Sequence, residues 1–306
     1  MKKSNKPKSL AAVIAAVAVV LISSVLYGQG IISEELYLKL ISASGVSVSE
    51  TYPAEVHFID VDQADCILIK TDEKTVLIDA GDIGGENEII NYLHTNGVSS
   101  IDVFITTHPH ADHIGSASEI IEAFPVATVI MPEIPEKRLP TTRLFENLLI
   151  TLSESDCEVL YAEKDMVFDL GSASLEILGP TEYTGTNLNN YSVVSKLTCG
   201  SISFLFTGDA EEEIELELIE AGEDLSCTVF NAGHHGSSTS NSVAFIKAAS
   251  PEYAAISCGK DNDYGHPHKE TISLFKEFGI EYYRTDYSGD IVFTTDGTNV
   301  YITTER

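Results

Sequence analysis

The sequence predicts one layered α/β domain behind an N-terminal apolar segment. From residue 56 onward, short apolar and β-branched runs alternate with stretches whose apolar residues recur at helical spacing. No repeat of solenoid period and no low-complexity tract interrupts that alternation. At 306 residues with 43% hydrophobic content, the chain can bury a sizeable core.

Lys2, Lys3, Lys6 and Lys8 precede an uncharged stretch, Ser9 to Ile32, whose apolar heart runs from Leu10 to Leu26. About 20 such residues can span a bilayer. The flanking lysines place the N-terminus in the cytoplasm and everything after Ile32 outside. A cleaved signal peptide is the alternative because Gly28 and Gly30 are small, although no A-x-A pattern immediately precedes them. Residues 1–32 are thus expected to be a signal anchor, residues 33–54 a Ser/Gly/Val-containing stalk, and residues 55–306 the folded domain.

Within that domain strands are expected at Val56–Ile59, Cys66–Lys70, Thr75–Asp79, Val103–Thr106 and Thr128–Met131. Helices are expected at Glu86–Asn96, Ser116–Ala123 and Thr141–Ser153. A β-rich second half follows, with strands at Ser174–Leu178, Ser192–Thr198 and Ser201–Thr207 and a helix at Glu211–Ala221. The pattern then gives a strand at Thr228–Asn231, a helix at Ser242–Ala249, a strand at Tyr253–Ser257, a helix at Glu270–Phe278 and three closing strands to Thr303.

The net charge of −29 favours solubility and repels polyanions from most of the surface, so nucleic acid is not a partner that charge favours. Cys66, Cys157, Cys199, Cys227 and Cys258 are odd in number and far apart. They read as small buried residues rather than as a disulfide framework or a metal knuckle.

The chemistry concentrates in Thr107-His108-Pro109-His110-Ala111-Asp112-His113, a loop delivered by the apolar run Ile101–Ile105 and left by a helix after Gly115. Alternate residues of an extended segment point the same way, so His108 and His110 can grip one ion while Asp112 and His113 face a second. Buried imidazoles and carboxylates are costly without partners, which argues against a purely structural cluster.

This H-x-H-x-D-H pattern resembles the metallo-β-lactamase superfamily, over about Glu55 to Glu305. The resemblance implies a four-layer αββα sandwich and a two-metal centre, with Zn²⁺ the expected ion and Mn²⁺ the other candidate. It also implies that Asp79 supports the metal loop, that Asp209 in Gly208-Asp209 bridges the ions, and that the last ligand comes from Gly233-His234-His235-Gly236-Ser237, with His234 preferred over His235. A narrower similarity is to the C-terminal domain of the ComEC family of DNA-uptake proteins and to related exported phosphodiesterases. It is carried by Asp60-Val61-Asp62-Gln63-Ala64-Asp65, Asn189-Asn190-Tyr191-Ser192, the His234-His235-Gly236-Ser237 block and Asn262-Asp263-Tyr264-Gly265-His266-Pro267-His268.

Two departures stand out. Asp62 and Ala64 occupy positions where the family has glycines, so the loop at Gln63 is expected to differ. No histidine lies between His113 and His234, so the family's third-motif histidine is missing. The pattern puts Asn189 and Ser192 there, and neutral oxygens are poorer zinc ligands than imidazole.

His57 and His94 read as structural or surface positions, and Gly84-Gly85 follows no phosphate-loop pattern. Tyr264, His266 and His268 form either a substrate-contacting segment or a surface turn. Asp112 would orient a metal-generated hydroxide, and Ser237 or His266 would steady the substrate. The expected function is hydrolysis of a phosphodiester, or of another small substrate, outside the membrane. The alternatives are a carboxylic ester, lactone or β-lactam hydrolase and a non-catalytic envelope module.

Overall fold

A computed structural model describes residues 52–306 apart from Thr181, Glu182 and Thr184, together with a few isolated positions before residue 40. The expected membrane segment and most of the stalk lie outside the described residues. Among the described residues no helix is long and apolar enough to cross a membrane. Tyr52–Arg306 form one compact unit.

Two sheets dominate that unit. The first contains β1 (Ala54–Phe58), β2 (Ile67–Thr71), β3 (Thr75–Ile78), β4 (Ile101–Ile105), β5 (Val126–Met131) and β6 (Glu158–Tyr161). The second contains β7 (Val167–Asp169), β8 (Ser174–Gly179), β9 (Val194–Cys199), β10 (Ile202–Phe206), β11 (Val229–Asn231), β12 (Tyr253–Ile256) and β13 (Glu281–Arg284). The chain then returns to the first sheet with β14 (Ile291–Thr295) and β15 (Val300–Thr304), giving the order β15-β14-β1-β2-β3-β4-β5-β6.

The strands read as near-continuous apolar runs because most are covered on both faces. Alternate side chains such as Val56, Phe58, Ile67 and Ile69 meet Leu175, Ile177, Phe204 and Phe206 in a core between the sheets. The opposite face of the first sheet, with Leu68, Leu77 and Phe104, is covered by α1 (Glu86–Thr95), α3 (Ala117–Ala123) and α4 (Arg143–Glu154) through Ile89, Ile120 and Leu148. Between α1 and α3 lies the one-turn α2 (Ala111–Ile114). The outer face of the second sheet, with Leu205 and Phe230, packs on α5 (Glu212–Ala221), α6 (Val243–Ala249) and α7 (Lys269–Phe278) through Ile214, Phe245 and Phe275. Helix α4 shows why such segments form: the Thr142 hydroxyl accepts the Phe145 N–H, and Phe145, Leu148 and Leu152 share the buried face.

Two strands were not expected from the sequence. β6 and β7 are the outer strands of their sheets and carry exposed apolar residues, Tyr161 and Val167 among them, so no buried alternation marks them.

Parallel pairing brings the C-terminal ends of β3 and β4 together in one sheet, and those of β10, β11 and β12 together in the other. The loops leaving these ends carry the titratable cluster.

Candidate metal centre

Asp79 follows β3 in left-handed backbone, φ 59°, and is buried. Its carboxylate accepts the Thr107 N–H at 2.7 Å, the Thr107 hydroxyl at 2.7 Å and the His113 Nδ1–H at 2.7 Å. That fixes the His113 tautomer and leaves Nε2 with its lone pair. His108 Nδ1 faces the hydroxyls of Thr107 at 3.2 Å and Ser192 at 3.3 Å. Ser192 Oγ in turn accepts the Asp209 N–H at 3.0 Å, which ties the loop after β10 to the loop after β4. His235 donates Nδ1–H to the Ser257 carbonyl at 3.0 Å, which turns its Nε2 toward Asp112 Oδ2 at 3.3 Å.

The Nε2 atoms of His113 and His235 converge on Asp209. Asp112, His113, Asp209 and His235 form one group whose ligand atoms lie within 4.8 Å of one another, and His108, His110 and Asp209 form a second. Asp209 belongs to both: Oδ1 lies 3.3 Å from His113 Nε2 and 3.8 Å from His235 Nε2, while Oδ2 lies 3.7 Å from His108 Nε2. His113 Nε2 and Asp209 Oδ1 are buried and neither has a hydrogen-bond partner. Two orphaned acceptors so close together are what a pair of ion sites bridged by one carboxylate requires, and the residues present fit such a centre. A third grouping, Asp65, Asp79 and His113, is a support instead, because the Asp79 carboxylate is already occupied by three protein donors.

The histidine pair resolves differently from the expectation. His235, not His234, joins Asp112, His113 and Asp209. Both residues have left-handed backbone, φ 52° and 54°, which turns their rings apart. The Ser257 carbonyl holds the His235 ring toward Asp209 Oδ1, whereas His234 Nδ1 faces the Thr239 hydroxyl at 3.1 Å and its Nε2 lies on the other side of the carboxylate, 3.5 Å from Asp209 Oδ2, the oxygen that also faces His108.

Ser237 and His268 are likewise placed away from their expected roles. The buried Ser237 hydroxyl pairs with Thr239 at 3.1 Å. His268 has both nitrogens engaged, Nδ1 accepting the Ser238 N–H at 2.9 Å and Nε2 donating to the Tyr264 carbonyl at 3.3 Å. Asn189 lines the cleft with its amide nitrogen donating to Glu211 Oε1 at 3.2 Å and its Oδ1 unpartnered. Tyr264 and His266 also line the cleft, an open hollow of about 360 Å³ at Asp209 that, among the described residues, no lysine or arginine borders.

Burial alone would raise the Asp209 carboxyl, but the His113 and His235 rings outweigh it and hold the group well below the usual carboxylate range. Burial likewise works to lower His235, yet Asp209 and the hydrogen bond to Asp112 raise it to about 9. His108, buried and beside His113, is pushed well down. An ion therefore competes with protons for the nitrogens of His113 and His235 and finds His108 already neutral.

The family profile described as "Metallo-beta-lactamase superfamily" matches residues 59–260. The chain belongs to the metallo-β-lactamase superfamily. Members are generally metal-dependent hydrolases, and this one falls in the ComEC-like branch. It is 29% identical over 257 residues to ComE operon protein 3 of Bacillus subtilis, covering 78% of this chain and 33% of that protein. The chain thus spans about a third of that curated relative's length. It is 28% identical over 220 residues to hydroxyacylglutathione hydrolase of Vibrio parahaemolyticus, covering 70% of this chain and 73% of that one. Among solved structures, CmlA, a diiron β-hydroxylase from Streptomyces venezuelae, matches with a TM-score of 0.52 at 14% identity, over 84% of this chain and 59% of that chain, which speaks for the fold alone.

Several residues that shape this metallo-β-lactamase centre carry no metal-ligand signal. Asn241 Nδ2 donates to the carbonyls of Gly233 at 2.9 Å and Ser237 at 3.0 Å, bracing the histidine turn. Glu215 accepts the N–H groups of Asn241 and Ser242, the latter at 2.9 Å, and braces Asn241 in turn. Thr107 and Ser257 act through a hydroxyl and a backbone carbonyl, which orient ligands without being ligands themselves. Gln63 was visible only as part of a motif.

Proposed function

We propose that this chain is an exported, membrane-tethered hydrolase of phosphodiesters that uses two divalent ions, zinc first and manganese second. The observation that supports this most is the inequality of the two ligand groups. Asp112, His113, Asp209 and His235 make four protein ligands, whereas His108, His110 and Asp209 make three. The smaller group leaves coordination positions for a substrate oxygen. When bound, two such ions would supply a water of lowered pKa and polarise a phosphoryl group.

The residues of the chain do the rest. Asp79 and the Ser257 carbonyl hold the His113 and His235 rings in register. Asp112, partly exposed in the cleft, would orient the attacking water. With no lysine or arginine on the cleft among the described residues, imidazole N–H groups and the ions would receive the phosphate. Membership of the ComEC-like branch adds support for phosphodiester chemistry, and the four lysines before Leu10 support the tether.

A second reading, hydrolysis of a carboxylic or thiol ester, draws on the similarity to hydroxyacylglutathione hydrolase. Both are separated by assaying the purified protein, loaded with Zn²⁺ or Mn²⁺, on bis(p-nitrophenyl) phosphate, nitrocefin, a lactone and a thioester. Turnover of the phosphodiester that is abolished in Asp209→Ala and near normal in His94→Ala is the expected result; turnover confined to the carbonyl substrates would replace this reading with the second. The tether is tested by thiol labelling of intact cells, where a cysteine at Ser49 should react and one at Ser4 should not.

A further inference from the structure

His266 lies over the centre, its ring centroid 5.4 Å from that of His234 and 6.1 Å from that of His235, in a loop that the metal sites do not use. Two contacts pin it. Asn262 grips its backbone from both sides, Oδ1 accepting the His266 N–H at 3.0 Å and Nδ2 donating to the His266 carbonyl at 2.6 Å. Its ring Nδ1 faces Gln63 Nε2 at 3.3 Å, across 203 residues of chain.

The direction of that last contact can be deduced. The Gly259 N–H, which can only donate, meets Gln63 Oε1 at 3.0 Å. The amide is thereby oriented, with its NH₂ toward His266, so Nδ1 of the ring must accept. A neutral imidazole that accepts at Nδ1 carries its proton on Nε2. Nε2 has no protein partner among the described residues, and His266 lines the cleft. The Gln63 loop can approach this closely because residue 259 is glycine: a Cβ there would sit 2.8 Å from the Gln63 backbone nitrogen and 3.2 Å from the Asp62 carbonyl carbon.

We infer that Gln63 is a positioning residue that holds His266 in its Nε2–H tautomer, so that the ring meets the substrate's phosphoryl oxygens as a neutral hydrogen-bond donor. This rests on the cleft being the substrate site of a phosphodiesterase. The Gln63 motif and the Asn262–His268 segment then act together, the second supplying the donor ring and the first placing its proton. The Tyr264 ring stacks beside it, its centroid 5.6 Å from that of His266 and its plane tilted by 20°.

The test uses ¹⁵N NMR of the histidine rings in the metal-loaded protein, with inorganic phosphate as the probe and the His266 signals assigned by their loss in His266→Gln. The parent should carry the His266 proton on Nε2, and phosphate should shift that resonance. Gln63→Met should keep both metal ions, lose the single tautomer and bind phosphate about tenfold more weakly, the scale of one hydrogen bond to a charged group. His266→Gln, which retains an N–H, should bind phosphate better than His266→Leu. A proton on Nδ1 in the parent, no response of Nε2 to phosphate, or unchanged tautomer and affinity in Gln63→Met would overturn the inference. Failure of phosphodiester turnover with these NMR results intact would instead remove the proposed substrate and leave the tautomer assignment standing.

Discussion

Asp79 and His113 share a hydrogen bond of 2.7 Å in a site closed to solvent, and through it a residue that touches no ion site directs the ring of one that does. Asp79→Asn keeps the shape but presents an amide where three donors now converge. Metal affinity measured by competition with a chromophoric chelator should fall about 10- to 100-fold, the usual effect of losing such a support, while the circular dichroism spectrum stays that of the parent. Parent-like affinity would mean that Asp79 serves folding only.

The two adjacent histidines should behave differently when removed. His235→Ala takes a ligand from the four-residue group and should lose one bound ion, read by elemental analysis after gel filtration. His234→Ala should retain two. The opposite pattern would mean that the rings exchange places when metal enters.

Metal titration of the apo protein should resolve one tight and one markedly weaker equivalent, since one group offers four protein ligands and the other three. Asn189→His should tighten the weaker equivalent and slow turnover by filling a coordination position. Two equally tight equivalents in the parent would show that a further side chain completes the smaller group.

Glu215 offers a prediction about pH. Burial raises its carboxyl to about 7, against the N–H groups of Ser242 and Asn241, which pull it down, and with a smaller upward push from Glu212. A carboxyl whose folded pKa lies above its unfolded value near 4.5 contributes stability that is complete below 4.5 and is lost as pH rises through about 7. Glu215→Gln cannot ionise. The parent should therefore lose about 3 kcal/mol more than the variant between pH 4 and pH 8 in urea unfolding. Loss of one acceptor shifts the variant's stability by an amount independent of pH, so parallel curves would show that the carboxyl is not raised.

The loop of His108, His110, Asp112 and His113 was legible because its potential ligands sit within six consecutive residues. Asp209 became readable only through its order behind that loop, since a Gly-Asp pair by itself is a turn signal. What chooses His235 over His234 was not legible: the decision rests on the Ser257 carbonyl, and a backbone atom leaves no mark in residue identity. The same limit hid β6 and β7, whose exposed edges lack the alternation that revealed the buried strands. At Asp62, where the family has glycine, φ is 59°, so an aspartate adopts the left-handed conformation there.

The ligands come from both halves of the sandwich. His108, His110, Asp112 and His113 hang from the first sheet, and Asp209 and His235 from the second. Neither half alone can assemble either group, because both need Asp209 beside residues of the other half. A complete ligand set for either ion would thus exist only once the two halves have docked. The ions abundant where the sandwich closes would then compete for the centre.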